Sequence, residues 1–311
     1  MGEVSETLVD SRAREGAEPA LSVLIPFHGD DPRPLLHRLD LQARGLGGAV
    51  ELIVLNDGDP DERLSAAVAA QIKALRSPAR LIRLSANEGR AMGRNRLVRH
   101  ARAPHLLFLD SDMCPDSPRF LARWLEAARQ GAAVAFGGFT VDSAPACPST
   151  AVHRAMARRS DCLPAAVRRR TPEKYVFTSN LLVRRDVIEK EAFDEGFRGW
   201  GWEDVEWAMR VSRRWRIEHV DNTATHLGLD TVEALARKYE QSAANFARIR
   251  AAHPEIVASY PSFRVARAMR FAPFRSAWRP ALRTLSRMPA PLPLRALALR
   301  LYRAGLYAEV V

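Results

Sequence analysis

The first 110 residues alternate short apolar runs with segments of helical spacing, and this alternation restricts the fold more than any other feature. The apolar runs predict strands over 21–26, 51–55, 81–84 and 105–109. The segments between them predict helices that begin near residue 34 and that span 65–76 and 87–102. This β-α-β-α-β-α-β order predicts a parallel sheet with right-handed crossovers, and Pro26 is expected to end the first strand.

The chain beyond residue 112 shows a less regular pattern. It predicts helices over 119–130, 206–215 and 231–252, strands over 132–140 and 216–220, an ordered run over 175–184 and irregular chain over 143–172. The predicted fold class is α/β, with a doubly wound nucleotide-binding half at 20–112. Residues 1–19 are polar and are expected to be flexible, and 231–311 are expected to form a helical, basic C-terminal extension.

Composition excludes several classes of protein. The chain has 311 residues, of which 47% are hydrophobic and 27% charged, and this suits a globular protein with a sizeable core. Three cysteines without CxxC spacing argue against a disulfide framework and a zinc knuckle, so a reducing cytoplasm is expected. The N-terminus is acidic and no apolar stretch reaches the roughly 18 residues of a membrane span, which predicts neither a signal peptide nor a transmembrane helix.

The net charge of +11 is concentrated at the C-terminus, where 262–311 hold ten arginines and one glutamate. The remainder is nearly neutral and has no zinc-finger or RNP-like pattern, so nucleic acid is not an expected partner. Four of the arginines recur every four residues among apolar and aromatic ones: Arg275, Arg279, Arg283 and Arg287 with Phe271, Phe274, Trp278, Leu282 and Leu285. This pattern predicts peripheral docking on an anionic membrane surface; a charged face packed on the core is the alternative.

Two acidic clusters suggest metal-assisted group transfer. Asp110 and Asp112 follow the apolar run 105–109, at the strand end where open α/β sheets bind ligands. Hard divalent cations such as Mn²⁺ or Mg²⁺ prefer carboxylate oxygens and can neutralise a leaving diphosphate. Asp112 is the favoured metal ligand, and Asp110 is expected to reach the nucleotide ribose or a metal-bound water. A surface turn or a helix cap is the alternative for this short motif.

Other strand ends supply candidate nucleotide contacts. Asp57 follows the second strand in a turn expected to leave its carboxylate free to accept the N–H of a base, and Pro26 could press on the base. Asn87, Gly89 and Arg94 follow the third strand and open a helix, where backbone N–H groups and a cation suit phosphate. Turn formation and helix capping are the structural alternatives.

The second acidic cluster lies between two tryptophans in 199–206. Glu203 and Asp204 are adjacent there, and paired carboxylates can serve in acid–base chemistry. Trp200 and Trp202 offer flat apolar faces to a ligand. The alternatives are helix capping for the acids and burial in the core for the tryptophans. Glu206 is expected to face solvent.

The ordered set of motifs resembles the family-2 glycosyltransferases of the GT-A fold over roughly residues 20–230. The matching segments are 22–27, 55–58, 87–95, 108–112, 178–181 with 184–186, 193–195 and 199–204. The resemblance implies a Rossmann-like nucleotide-binding half at 20–112 and an acceptor half at 113–230 on a mixed sheet. It implies a nucleotide-sugar donor, a divalent metal and inversion.

The resemblance also implies residue roles. Asp57 would contact the base, Asp110 and Asp112 would form the Asp-x-Asp pair, and Asn180 would bind the acceptor. Inversion at the sugar carbon needs one base that removes the proton of the acceptor hydroxyl, and Asp204 would be that base. Glu203 would hold another acceptor hydroxyl, and Trp200 and Trp202 would supply faces on which a sugar stacks. His226 stands where related enzymes use a further metal ligand, and a structural role is the alternative.

The predicted function is transfer of a sugar, from a UDP-sugar by preference, to a glycan or lipid-linked glycan. We expect this in the cytoplasm or on the inner face of the membrane. A sugar-nucleotide pyrophosphorylase is an alternative, but 26–30 lack its Gly-rich, Lys-bearing phosphate loop. The other alternative is a catalytically silent, membrane-associated glycan-binding scaffold. The presence of Asp110, Asp112 and Asp204 argues against it.

Overall fold

The computed structural model describes residues 4–271, 273 and 275–311. Its strands are β1 (Glu6–Asp10), β2 (Leu21–Phe27), β3 (Val50–Asn56), β4 (Ala79–Leu84), β5 (His105–Phe108), β6 (Met113–Pro115), β7 (Val134–Phe136), β8 (Phe139–Thr140), β9 (Leu181–Arg184), β10 (Ile217–His219) and β11 (Ala224–His226). Its helices are α1 (Arg33–Arg44), α2 (Glu62–Ala74), α3 (Arg90–His100), α4 (Phe120–Arg129), α5 (Ala151–Ser160), α6 (Ala165–Arg168), α7 (Arg185–Lys190), α8 (Glu203–Val211), α9 (Val232–Ala252), α10 (Pro254–Ser259), α11 (Pro261–Met269), α12 (Arg275–Arg287) and α13 (Leu292–Tyr307).

The main sheet has eight strands in the order β1-β4-β3-β2-β5-β9-β7-β10. Strands β4, β3, β2 and β5 are parallel, whereas β9 runs antiparallel to both β5 and β7. The α/β class and the mixed sheet are therefore confirmed. Because β2 and β3 are covered by apolar clusters on both faces, their sequences read as continuous apolar runs rather than as alternating ones.

A strand replaces the flexible N-terminus that we expected. Within residues 1–19, β1 pairs antiparallel with β4 over five residues, from Glu6 opposite Leu84 to Asp10 opposite Arg80. The pairing covers what would otherwise be an open sheet edge, and Asp10 forms an ion pair with Arg80 at 2.7 Å. The strand is mostly exposed, so its sequence carries no apolar run that would reveal it.

The proline in β2 does not end the strand, contrary to our expectation. Strand β2 continues through Pro26 to Phe27, paired with β3. On its other side, β5 pairs with β2 only as far as Leu24. Pro26 has no backbone N–H, but beyond Leu24 there is no β5 partner for such a group, so no ladder hydrogen bond is lost on that side. A strand tolerates proline at such an unpaired position.

Two further sequence predictions need correction. The expected strand over 132–140 is two short strands, β7 and β8, separated by Gly137 and Gly138. Gly138 has a φ of +79°, and a Cβ on Gly137 would lie 2.4 Å from the side-chain nitrogen of Asn180. The supposedly irregular segment 143–172 contains α5 and α6, because their alanines and arginines favour helix.

The C-terminal helices share a core with the preceding part of the chain. This core joins α9 and α13 to the segment before α8 and includes Phe197, Tyr239, Phe246, Leu299 and Tyr307. None of the helices in the described part of the chain combines the length and the apolar character that crossing a bilayer requires.

The basic face of α12 is turned toward acidic residues, which favours the alternative that we considered for it. Arg279 pairs with Glu309, Arg283 with Glu240 and Arg287 with Glu233. Phe274 lies outside the described residues, and the side chain of Arg275 is not described either.

Candidate functional site

The parallel strands bring the predicted nucleotide contacts to one edge of the sheet. Asp57 directly follows β3, and its carboxylate accepts the backbone N–H of Glu88 at 2.8 Å and of Gly89 at 3.1 Å. The side-chain amide of Asn87 donates to the same carboxylate at 3.0 Å. Asp57 thus fixes the loop that leads into α3.

Two glycines allow the loop 87–89 to come close to the end of β3. A Cβ on Gly58 would lie 2.3 Å from the backbone of Ala86 and Asn87, so no other residue fits there. Gly89 has a φ of +92° directly before α3. Local backbone geometry therefore sets the position of the α3 N-terminus.

Asp57 differs from our expectation of a free carboxylate. Both of its oxygens already accept hydrogen bonds from 87–89, and the side chain is buried. Burial raises the pKa of Asp57 against the opposing effect of these hydrogen bonds. Pro26 is half-buried at the same edge of the sheet, and its contact with the base stays a prediction.

Two arginines of α3 hold the carboxylates of both acidic clusters together. Arg90 Nε donates to Glu203 Oε1 at 2.7 Å, and Arg94 Nη1 donates to the same oxygen at 2.9 Å. Arg94 Nη2 lies 3.3 Å from Asp110 Oδ1, and Arg90 Nη2 lies 3.8 Å from Asp110 Oδ2. Asp110 and Glu203, which are 93 positions apart in the sequence (203 − 110), are thus held by the same two arginines.

Glu203 is a buried anchor for these arginines, and not the acceptor contact that we expected. Its side chain is 2% exposed. Burial would raise the pKa of Glu203, but Arg90 and Arg94 outweigh it and hold that pKa well below its usual range. Its carboxylate is therefore a fixed negative charge.

Asp204 has a different environment although it is adjacent in sequence. Within the described chain its carboxylate accepts a hydrogen bond only from the N–H of Val205, at 2.8 Å. Burial and then repulsion by Glu203 raise the pKa of Asp204 to about 7, against the attraction of the two arginines. The side chain of Asp204 is half-buried, so solvent reaches it in the cleft between the strand ends and 199–204.

The two tryptophans pack differently from each other. Trp202 has a φ of +77°, its indole N–H donates to the Tyr307 hydroxyl at 3.0 Å, and its ring lies 5.1 Å from that of Phe246. It is an anchor to the C-terminal core, so the predicted sugar-stacking role is not supported. Trp200 is half-buried and lies 6.1 Å from the Tyr239 ring, and its stacking role stays a prediction.

Asp112 and His226 meet through the small sheet β6-β11-β8, which pairs Met113 with His226. His226 Nε2 lies 2.9 Å from Asp112 Oδ2, and Asp112 Oδ1 is buried without a hydrogen-bond partner among the described residues. A Cβ on Gly228 would lie 2.1 Å from Asp112 Oδ2. Each partner favours the charged form of the other, since the pKa of Asp112 is lowered and that of His226 raised against their burial.

Asp112 and His226 could together bind a divalent cation whose remaining coordination positions are filled by a bound substrate and water. Carboxylate oxygen and imidazole nitrogen are ordinary ligands of Mn²⁺, and the unpartnered Asp112 oxygen can accept one. Across the described residues, no group of three His, Cys, Asp or Glu side chains is close enough to hold a metal alone. Phosphate oxygens and water would complete the coordination.

The structure corrects the predictions for Asn180 and Glu206. Asn180 is fully buried: its amide donates to the carbonyls of Gly138 and Asn222 at 2.8 Å and accepts from the Trp124 indole at 3.2 Å. It supports β7 and β9 and cannot contact an acceptor. Glu206 is buried rather than solvent-facing.

Sequence reasoning did not assign four residues that extend the site. Arg90 was part of a quoted motif but had no role. Next to His226, the His153 ring lies 5.9 Å away, and its Nδ1 lies 3.7 Å from Asp230 Oδ2. Lys238 Nζ binds the same Asp230 oxygen at 2.7 Å. Lys238 has one sequence signal: α9 begins four residues after Gly228, so the first turns of this helix pass the candidate metal pair.

The chain matches the model of Glycosyl transferase family 2 over residues 22–191, more than half of its length. It belongs to this family. It is therefore a nucleotide-sugar-dependent glycosyltransferase, and the match covers β2 to α7, including the loop 87–89 and the Asp110–Asp112 pair. No curated protein sequence matches the chain.

Solved structures agree with this assignment at the level of the fold. The Pyrobaculum calidifontis mannosyltransferase PcManGT, solved with GDP-Man and Mn²⁺, shares 15% identity at a TM-score of 0.59, over 97% of this chain and 90% of that one. TarS 1-349 of S. aureus shares 16% identity at a TM-score of 0.54, over 93% and 89%. The same TarS segment has been solved with UDP-GlcNAc and matches with a TM-score of 0.52. The fold of this glycosyltransferase is GT-A.

Proposed function

We propose that this glycosyltransferase moves a hexose with inversion from a nucleotide diphosphate to a glycan or lipid-linked glycan, with the help of a divalent metal. The observation that carries the proposal is Asp204, an accessible carboxylate at the bottom of the cleft, beside the arginine–carboxylate network. A base in that position can take the proton of an acceptor hydroxyl while the hydroxyl attacks the sugar carbon.

The environment of Asp204 suits this role. A base with a pKa of about 7 is unprotonated in about half of the molecules at neutral pH and still binds a proton readily. Glu203 supplies the repulsion that raises this pKa, and it remains ionised because Arg90 and Arg94 bind it. The paired acids thus have separate tasks.

The donor would lie along the strand ends. Asp57 and the loop 87–89 form the wall beside Pro26, where the base would bind, and Asp110 would reach the ribose. Arg90 is accessible on the same side and would attract phosphate. PcManGT with GDP-Man and TarS with UDP-GlcNAc support a nucleotide-sugar donor of either base, and UDP remains our preference.

Asp112 and His226 would hold Mn²⁺ or Mg²⁺, and Asp110 would reach the ribose or a metal-bound water. The PcManGT complex with Mn²⁺ supports this part of the proposal. The metal would supply positive charge to the leaving diphosphate.

A panel of nucleotide sugars with Mn²⁺ or Mg²⁺ tests the proposal through release of nucleoside diphosphate. We expect release from one donor, dependent on metal and reduced by about 10²–10⁴-fold in Asp204→Asn. Asp186→Asn is the matched control, because Arg184 pairs with His105 and so places α7 at the opposite edge of the sheet. Equal loss in both variants would contradict the role of Asp204 as the base. No release and no nucleotide binding with any donor would favour the silent scaffold.

Membrane docking would use α11 rather than α12. Arg264, Arg267 and Arg270 are exposed there beside Phe271, whose side chain is 79% exposed. Sedimentation with vesicles containing anionic lipid tests this for Phe271→Ser with Arg267→Glu. Deletion of 262–311 would be a poor test, since it removes the core residues Leu299 and Tyr307. Unchanged sedimentation of the double variant would exclude docking through α11.

A further inference from the structure

The last helix, α13, contributes an arginine to the cleft. The Arg303 guanidinium lies 5.2 Å from the centre of the Tyr239 ring. Arg303 is half-buried, and the Tyr239 ring beneath it is only 4% exposed. The guanidinium therefore lies on the edge of the C-terminal core with part of its surface open to solvent.

Arg303 differs from the other arginines of the C-terminal extension near it. Arg279, Arg283 and Arg287 bind glutamates, Arg295 donates to the Ser286 carbonyl at 3.0 Å, and Arg300 lies 3.4 Å from Ser160 Oγ. For Arg303 there is neither a hydrogen bond nor an ion pair within the described part of the chain. Its N–H groups are therefore available to a ligand.

A continuous series of contacts joins Arg303 to the candidate metal pair. Tyr239 lies against Trp200, and Lys238 Nζ lies 6.0 Å from the centre of the Trp200 ring. Lys238 binds Asp230, which also lies next to His153, and His153 faces His226. Arg303, Lys238 and Trp200 are thus connected by packing to the candidate metal pair.

The acidic group that acts on this arginine does not touch it. Asp161 attracts Arg303 electrostatically, but the two do not come within the 4.0 Å of an ion pair. Burial raises the pKa of Asp161 to about 6, against the attraction of Arg303 and Arg300. Asp161 is therefore mostly ionised at neutral pH, yet it leaves the N–H groups of Arg303 open to a ligand.

We propose that Arg303, with Lys238 and Trp200, forms an acceptor subsite for a sugar that carries a phosphate or carboxylate group. The inference rests on the proposed transferase function and adds the chemical class of the acceptor. An arginine stacked on an aromatic ring offers its N–H edge to a planar or tetrahedral anion, and the indole face suits the sugar ring. The subsite lies outside residues 22–191, so the family match does not define it.

Calorimetric titration of three sugars tests the charge of the acceptor directly. Glucose, glucose 6-phosphate and glucuronate are titrated into the full-length enzyme saturated with Mn²⁺ and the nucleoside diphosphate of its donor. The saturating diphosphate prevents the sugar phosphate from occupying the donor site. We expect at least one charged sugar to bind about tenfold or more tighter than glucose, the gain of one charged hydrogen bond.

Three variants connect that preference to the subsite. Arg303→Gln is expected to abolish the charge preference, and Arg303→Lys to retain part of it, because lysine keeps the charge but loses the planar fork. Arg129→Gln, at an exposed arginine on α4, is the matched control and is expected to change nothing. Binding of phosphate alone or of carboxylate alone identifies which anion the subsite takes.

The outcomes separate this inference from the proposed function. Equal binding of the three sugars, no binding of any, or a preference that survives Arg303→Gln would overturn the subsite while donor turnover stays intact. If no nucleoside diphosphate binds, the proposed function fails at that step. The titrations are then made on the free enzyme, where the charge preference still decides the subsite.

Discussion

The two sides of the cleft are built differently. The strand-end side, made of Asp57, the loop 87–89 and Asp110, follows from backbone geometry at the ends of β3, β4 and β5. The helical side, made of 199–204, α9 and α13, depends on packing between segments far apart in the chain. Local sequence motifs therefore describe the first side well and the second side poorly.

The strongest test of this comparison removes a packing residue from the helical side. Phe246 is fully buried, with its ring 4.2 Å from Tyr307 and 5.1 Å from Trp202. We expect Phe246→Ala to lower the free energy of unfolding by about 3–5 kcal/mol, measured by urea denaturation. Phe271→Ala is the control, since that ring is 79% exposed and its loss should change little. A similar cost for both variants would mean that this core does not hold the cleft.

The same contrast explains which parts of the site the sequence predicts. Asp57, Asp110 and Asp112 could be predicted because each follows an apolar strand whose end is fixed by the sheet. Asn180, Trp202 and Glu203 could not, because their partners Trp124, Tyr307 and Arg90 are 56, 105 and 113 residues away. A motif identifies such residues but does not say whether they bind a substrate or another side chain.

The second prediction concerns the strand-end side. Asp112→Asn removes a carboxylate from the candidate metal pair, and we expect turnover with Mn²⁺ to fall by about 100-fold or more. The affinity for Mn²⁺, followed by paramagnetic relaxation of water protons, should fall in parallel. Asp186→Asn serves again as the control at the opposite edge of the sheet. Turnover that survives in Asp112→Asn, or that does not respond to a chelator in wild type, would contradict the metal role.

The third prediction uses Glu203, which connects the two sides. Replacing Glu203 with Gln removes the charge that repels Asp204 and leaves Arg90 and Arg94 free to attract it. The pKa of Asp204 should fall, and the acidic limb of the kcat/KM profile should move about one pH unit lower. Each profile is scaled to its own plateau, so that a loss of folded protein does not shift it.

Glu189→Gln provides the matched comparison for that profile, because Glu189 is largely exposed on α7. Its acidic limb should coincide with that of wild type. An unchanged limb in Glu203→Gln would mean that the titrating base is not next to Glu203.

The smallest expected effect is on stability and comes from Asp204 itself. A carboxyl group with an ordinary pKa of 3.8 that rises to about 7 on folding favours the native state when protonated. That contribution is complete below about pH 4 and is lost as the pH rises through 7. Asp204→Asn should therefore raise the melting temperature at pH 8 by a few degrees relative to wild type and have little effect at pH 4.

This last measurement separates a catalytic base from a helix cap. Asn can accept the Val205 N–H as Asp does, so the substitution keeps the helix start and removes only the charge. A variant that is more stable at pH 8 and yet inactive would show that the carboxylate is kept at a cost to the fold, as expected for a functional group. A variant that is less stable at pH 8 would mean that the charge of Asp204 stabilises α8, and the loss of activity would then reflect the fold.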